Sequence, residues 1–338
     1  MRILVTGGAG FIGSHFTKLL LKKYSDLEIT VLDALTYCGN LENLHEVEDH
    51  PNYTFIHGDI RDGELVEKVM KEVDRVIHFA AETHVDRSID NSDPFISTDI
   101  KGTQVLLEAA RKSPVKQFVH ISTSEVYGTA LTTPMTEEHP LNPQSPYAAA
   151  KTGADRLAYS YFIAYKLPVV IVRPFNNYGP NQFPEKLFPL FITNALEGKP
   201  LPVYGDGRNT RDWLYVEDCC EALEIVLMDD KKSLLGEVIN LGTGVDTDVL
   251  TISEEILKLL KKPKSLIQHV GDRPGHVERL VSSKEKAEKL LGWRAKTSFS
   301  EGVKRTCEWF VGNSGWWKRI KEKEKEYKDF YQRWYSRL

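Results

Sequence analysis

Short apolar runs alternate with helix-length amphipathic stretches along the first half of the chain. Ile3–Thr6, Ile29–Leu32, Tyr53–Ile56, Arg75–Phe79, Gln117–Ser122 and Val169–Val172 read as strands. Val169-Val170-Ile171-Val172 is apolar at consecutive positions. That suits a strand covered by helices on both faces, whereas a half-exposed antiparallel strand would alternate. The pattern predicts an α/β fold, a doubly wound parallel sheet.

After Arg173 the rhythm breaks. Pro174, Pro180, Pro184, Pro189, Pro200 and Pro202 punctuate a stretch that cannot be one regular helix. The expected division is a first domain over 1–173 and a smaller, interleaved C-terminal domain over 174–338. A further apolar run at 237–243 is expected to return to the first sheet. Segments 251–262, 284–291, 300–311 and 315–335 read as helices. The last is Lys/Glu-rich and aromatic-studded, and its charges read most simply as a solvated face.

Composition narrows the partners. The 338 residues carry 44 basic and 48 acidic side chains, a net charge of −4, with 41% hydrophobic residues. That length supports an ample core, and the balance lacks the basic surplus of a nucleic-acid binder. No run approaches the ~18 apolar residues of a membrane span, and Met1–Thr6 leads straight into glycines without a signal-peptide pattern. The expectation is a cytoplasmic protein with neither nucleic-acid nor membrane partner. Cys38, Cys219, Cys220 and Cys307 show no zinc spacing, so no metal is expected and the thiols read as structural.

The strongest local signal is Gly7-Gly8-Ala9-Gly10-Phe11-Ile12-Gly13, a GxxGxxG spacing between the first strand and a helix. Gly7, Gly10 and Gly13 permit a tight turn and close packing, and the helix start at Phe11 and Ile12 offers amides to a pyrophosphate. Asp33 ends the second strand about 20 residues on, where a carboxylate accepts from an adenosine ribose and repels a 2′-phosphate. The cofactor expected is NAD rather than NADP; a merely tight strand–helix turn is the simpler alternative.

A second constellation is Ser122-Thr123-Ser124-Glu125 at a strand end, followed by Tyr147-Ala148-Ala149-Ala150-Lys151 opening a helix. Residues four apart share a helix face, so Lys151 can lie beside Tyr147 and reach toward a nicotinamide ribose. Its charge is expected to lower the phenol pKa toward a useful base. Strand-end capping is the plainer role for Thr123 and Ser124, and a solvated acid for Glu125.

Together these residues resemble the extended short-chain dehydrogenase/reductase superfamily, with its Rossmann sheet. Within it, Leu35–Leu41, Ala80–Ser88, Asn176–Pro180, Phe183–Leu187, Arg211–Asp218 and Asp272–His276 are similar to the nucleotide-sugar 4,6-dehydratases, dTDP-glucose 4,6-dehydratase among them. The resemblance implies a nucleotide-diphosphate sugar substrate held by the C-terminal domain. It implies cofactor contacts from Leu35, Thr36, Asp59, Ile60, Ala80, Ala81, Thr98 and Asn177. It implies substrate contacts from Thr83, Thr123, Asn176, Lys186, Leu187, Val203, Tyr204, Arg211, Asn240, Arg273 and His276. Arg211 has a physical rationale, since a guanidinium grips phosphate oxygens with two donors; a surface salt bridge is its plainer role. His84, His120 and His276 read more simply as hydrogen-bonded structural histidines. The family dimerises through two helices per subunit, which implies a homodimer through 93–112 and 146–165.

Ser124 departs from that pattern. The dTDP-glucose enzymes carry Asp-Glu after the strand-end threonine, the Asp protonating the leaving carbon-6 hydroxyl, and this chain has Ser124-Glu125. GDP-mannose 4,6-dehydratase shares Thr-Ser-Glu, and so do UDP-glucuronic acid decarboxylases. The resemblance implies dehydration by Tyr147, Lys151, Glu125, Thr123 and Ser124. Decarboxylation of UDP-glucuronate, 4-epimerisation and an NAD-binding regulatory protein stay open as alternatives.

Overall fold

The computed structural model describes residues 1–230, 232–323, 325, 327–329 and 331. In chain order the strands are β1 (Arg2–Thr6), β2 (Glu28–Asp33), β3 (Tyr53–His57), β4 (Arg75–His78), β5 (Gln117–Ile121), β6 (Val169–Pro174), β7 (Asn176–Tyr178), β8 (Leu201–Tyr204), β9 (Thr210–Tyr215), β10 (Val238–Leu241), β11 (Asp246–Asp248), β12 (Ile267–Val270) and β13 (Arg279–Leu280). Seven of them form one sheet in the order β10-β6-β5-β4-β1-β2-β3, with every pair parallel. The expected doubly wound α/β sheet is present, and β10 joins it beside β6.

Alternate residues explain why these runs are apolar throughout. Ile3 and Val5 of β1 face a cluster with Phe16 and Leu20 of the helix Phe11–Lys23 and Leu223 and Val226 of the helix Val216–Met228. Leu4 faces the opposite side, among Leu106, Leu107, Ala158 and Tyr161. Helices therefore cover both faces, and burying each such Leu or Phe is worth roughly 1.5–3 kcal/mol. Because Val216–Met228 packs on this sheet, the first lobe is built from both sides of the 173/174 boundary.

The second lobe centres on β9, which pairs with β7, β11 and β13, while β8 pairs with β12. Its core joins Phe188, Phe191, Trp213, Ile256, Phe310 and Trp317. The C-terminal helices run Val249–Leu259, Glu285–Leu291, Phe299–Gly312 and Ser314–Lys323. Part of the helix expected over 315–335, including 332–335, lies outside the described residues. Its charges are not all solvated: Lys321 Nζ is buried and donates to Thr193 Oγ1, Asn194 Oδ1 and Glu197 Oε2 at 3.1, 3.1 and 2.7 Å.

Under the sheet's far end Arg173 donates to both Asp155 oxygens at 2.9 and 3.0 Å and to Tyr127 OH at 2.8 Å. Tyr127 OH in turn donates to Asn240 Oδ1 at 2.7 Å. This network ties β6, β10 and the helix Pro146–Tyr165 together. The sheet's switch point lies between β1 and β4, whose strands run to neighbours on opposite sides; ligands of such folds sit in the crevice outside those carboxyl ends.

Candidate active site

A continuous cavity of ≈ 430 Å³ opens at that crevice and runs from Gly7 to His276 between the lobes. At its inner end the turn and helix are in contact. A Cβ at Gly7, where φ is +71°, would lie 2.5 Å from Ala80 N, and one at Gly13 would lie 2.3 Å from Gly7 O. The first intrahelical bond is Ser14 N to Gly10 O at 3.0 Å, so the amides of Phe11, Ile12 and Gly13 have no partner within the helix. Asp33 accepts from Ala9 N (2.9 Å) and Leu35 N (2.8 Å). Each oxygen keeps a lone pair, and burial pushes the carboxyl upward against those two amides. Thr36, Asp59, Ile60, Ala80, Ala81 and Thr98 continue the wall. Asp59 accepts from Arg61 Nε at 3.0 Å on each oxygen. A side-chain-free cradle, unpaired helix amides and an acid at the second strand's end fit a dinucleotide.

The reactive end is assembled from β5 and the next helix. Thr123 caps the turn Ser124–Tyr127, its Oγ1 accepting from Glu125 N at 3.2 Å. Ser124 and Glu125 are buried on the cavity wall. The helix Pro146–Tyr165 starts at Ser145, whose Oγ accepts from Ala148 N at 3.2 Å, and this places Tyr147 and Lys151 one turn apart on the wall. Burial holds the Tyr147 phenol above its ordinary value; Asp99 and Glu125 add to that, and hydrogen bonds with Thr123 and Thr83 oppose it.

The expected lowering of the phenol pKa is outweighed by burial, and Lys151 Nζ is anchored on Ile121 O at 2.7 Å. Burial lowers its own pKa while Asp99 and Asp155 raise it. The buried ammonium is therefore compensated by carboxylates.

On the second lobe's side each cation has a partner. Arg211 Nε lies 3.5 Å from Glu125 Oε1, so the residue expected at the diphosphate also touches the carboxylate of the reactive cluster. Arg273 Nη1 meets Asp86 Oδ1 at 3.0 Å, and Tyr204 OH donates to Asp86 Oδ2 at 3.1 Å. Lys186 Nζ donates to Thr83 O at 2.9 Å. His276 Nδ1 lies 2.6 Å from Asp272 Oδ1. Leu187, Asn176 and Asn177 also line the cavity, and both asparagine Oδ1 atoms are buried without a hydrogen-bond partner.

Three expected residues lie off this cavity: Leu35, Val203 and Asn240. Leu35 packs against the first core. On β8 the alternation turns Pro202 and Tyr204 to the cavity and Val203 into the core. Asn240 is fully buried on Tyr127 OH and on Met135 O. Conversely, sequence reasoning gave no role to Tyr37, Asp86, Arg87 and Glu185. Arg87 Nε pairs with Glu185 Oε2 at 2.9 Å and sits 3.8 Å from the Tyr37 ring centroid. Their signal was present, since all four fall in or beside segments quoted for the family resemblance.

A family model described as GDP-mannose 4,6 dehydratase matches residues 4–306. The low-salt glycan biosynthesis protein Agl12 of Haloferax volcanii is 47% identical over 313 residues, 93% of this chain and 99% of that protein. A dTDP-glucose 4,6-dehydratase of Streptomyces niveus is 46% identical over 325 residues, 95% of this chain and 96% of that one. Among solved structures, DesIV, a dTDP-glucose 4,6-dehydratase from Streptomyces venezuelae with NAD and TYD bound, is similar with a TM-score of 0.91. It is 45% identical, covering 95% of this chain and 100% of its own.

Proposed function

The chain belongs to the GDP-mannose 4,6 dehydratase family of the extended short-chain dehydrogenase/reductase superfamily, and on that premise we propose that it is an NAD-dependent nucleotide-sugar 4,6-dehydratase. The product is a 4-keto-6-deoxy sugar. The observation that carries this reading is the pairing of two proton acceptors on one cavity wall, Tyr147 and Glu125, close enough for the phenol to feel the carboxylate. Oxidation of a hydroxyl needs one proton acceptor; elimination of water across carbons 5 and 6 needs a second.

Gly7, Gly10 and Gly13, the helix amides and Asp33 would hold NAD, which would supply a hydride acceptor for carbon 4 and a hydride donor for carbon 6. Tyr147, oriented by Thr123 and Thr83, takes the carbon-4 hydroxyl proton. The resulting ketone acidifies carbon 5, and Glu125 removes the proton there and gives a proton back to carbon 5, after exchange with solvent, when hydride reaches carbon 6. Arg211 Nε lies 3.5 Å from that carboxylate. The carbon-6 hydroxyl leaves as water, and Ser124 is too weak an acid to protonate it, so Tyr147 hands on the proton it has just taken. Arg211, Arg273 and Lys186 hold the diphosphate, with Tyr204 and His276 beside them.

The test is incubation with dTDP-glucose, UDP-glucose, UDP-GlcNAc and GDP-mannose in deuterated water. The expected product has lost about 18 daltons of water and carries solvent deuterium at carbon 5. Four unchanged substrates would remove the reading; carbon dioxide released in a parallel incubation with UDP-glucuronate, or a mass-neutral product, would replace it with decarboxylation or epimerisation.

The same reading takes the chain as a cytoplasmic homodimer through 93–112 and 146–165. Exposed Ile96, Ile163 and Tyr165 on those helices support the interface, and light scattering of the purified chain tests it. Among the described residues no helix is long and apolar enough to cross a membrane.

A further inference from the structure

One buried acid plays no part in the steps above. Asp99 is 1% exposed and lies in a π-helical segment, Ile96–Gly102, a local widening that often marks a functional position. Its backbone carbonyl accepts from Thr103 Oγ1 at 2.5 Å, and its Oδ1 accepts from Glu82 N at 2.8 Å. Its Oδ2 is buried with no hydrogen-bond partner.

The groups facing it come from three directions. Lys151 and Tyr147 approach from the helix Pro146–Tyr165, and Asp99 bears electrostatically on both. Glu82 comes from the loop after β4. Behind, His78 on β4 reaches Thr103 Oγ1 at 2.9 Å. Burial keeps His78 neutral, and it keeps His120 beside Lys151 neutral as well, with a pKa of about 3. Among these groups Lys151 is therefore the cation whose charge bears on Asp99.

We propose that Asp99 is a positioning residue for the Tyr147–Lys151 pair, a buried carboxyl whose protonation state decides how much of the Lys151 charge reaches the phenol. Ionised, it compensates the ammonium and opposes phenolate. Protonated, it leaves the ammonium free to favour phenolate. Burial, opposed by Lys151, lifts its pKa to about 7, which sets this exchange in the neutral range. The kinetic arm rests on the reading of Tyr147 as base, and the spectroscopic arm does not.

The test uses the full chain with NAD, labelled with 13C-carboxyl aspartate, and compares wild type with Asp99→Asn. The expected result is a carboxyl resonance that titrates near neutrality in wild type and is missing from Asp99→Asn. In the variant the acidic limb of log kcat/KM should move to lower pH by about one unit, as expected when a like charge beside a phenol is removed. A purely structural Asp99 would alter stability or KM and leave that limb in place. The proposal is overturned by a wild-type spectrum in which no carboxyl titrates above pH ~5, or by an unmoved limb in folded Asp99→Asn. If Asp99→Asn does not fold, Asp99→Ser replaces it, and the wild-type titration alone still decides. Absence of dehydration in wild type would instead overturn the proposed function while leaving the titration readable.

Discussion

Gly13→Ala concentrates the argument for the cofactor cradle in one methyl group. The added carbon would sit 2.3 Å from Gly7 O, 2.9 Å from Gly8 Cα and 3.1 Å from Gly7 C. All three are backbone atoms, so no side chain can swing aside. Ordinary contact starts at 3.4 Å, a shortfall of about 1.1 Å at the closest atom. The start of the helix Phe11–Lys23 has to draw back from the turn by that order. Overpacking of this kind costs roughly 1–3 kcal/mol of stability. The larger effect falls on the ligand, because the retreating amides of Phe11 and Ile12 are the ones proposed to meet the pyrophosphate. Losing one charge-assisted bond of about 1.5–3 kcal/mol weakens NAD roughly 10- to 150-fold. Calorimetric titration with NAD and urea unfolding read the two effects separately. Gly63→Ala, where nothing lies within 4 Å of the new carbon, is the control and should bind as wild type. If Gly13→Ala binds NAD within twofold of wild type, the cradle is not where the cofactor sits and the reasoning fails.

The remaining predictions follow from the reactive end and the buried network. Tyr147→Phe should lower turnover by about 10²–10⁴-fold, the usual contribution of a positioned base, with NAD binding largely retained; a rate within threefold of wild type would strip Tyr147 of its role. Glu125→Gln should oxidise substrate and stall, visible as absorbance of accumulated NADH near 340 nm (roughly, from the nicotinamide chromophore); neither accumulation nor a rate defect would remove Glu125 from the mechanism. Asp155 is buried, which raises its pKa, but Arg173 more than offsets this and holds it below the ordinary carboxylate value. A depressed folded pKa contributes stability that is fully present above the ordinary value near 4 and is lost as pH falls toward the folded one. Asp155→Asn should therefore be less stable at neutrality, by roughly 3–5 kcal/mol for a broken buried pair, and should lose less on acidification between about pH 4 and 2. Equal acid slopes in the two proteins would contradict the assignment.

The strands were legible because both faces of the sheet are covered, so residues such as Ile3, Leu4 and Val5 are apolar in succession. The glycine turn was legible for a related reason: a turn that must touch both the segment after β4 and its own helix has no room for a side chain at Gly7 or Gly13, and a period of three writes that into Gly7, Gly10 and Gly13. The substrate end was less legible. Val203 and Tyr204 are neighbours in sequence, and only the phase of β8 tells which one meets the cavity. Asn240 reads as a polar ligand on an apolar strand, yet its partner Tyr127 stands 113 positions away. Charge pairing was the least legible: nothing local to Glu125 announces Arg211, or to Lys151 announces Asp99. A signal for Asp99 existed, since a carboxyl four residues after Phe95 and four before Thr103 occupies the inward side of that helix.

The parallel order of the large sheet also has a schedule attached. β6 ends at Pro174 and its outer neighbour β10 begins at Val238, 64 positions later (238 − 174). At the ~5–20 residues per second of synthesis, β6 stands as the open edge of a hydrophobic sheet for roughly 3–13 s in every newly made chain. An exposed row of unpaired amides on Val169–Val172 is the kind of edge that recruits other chains. One feature of the same strand blunts it before β10 arrives: Arg173 places a charge there that Asp155, already synthesised, can hold. The residues that close the finished sheet beside the active site thus also guard it while it is still incomplete.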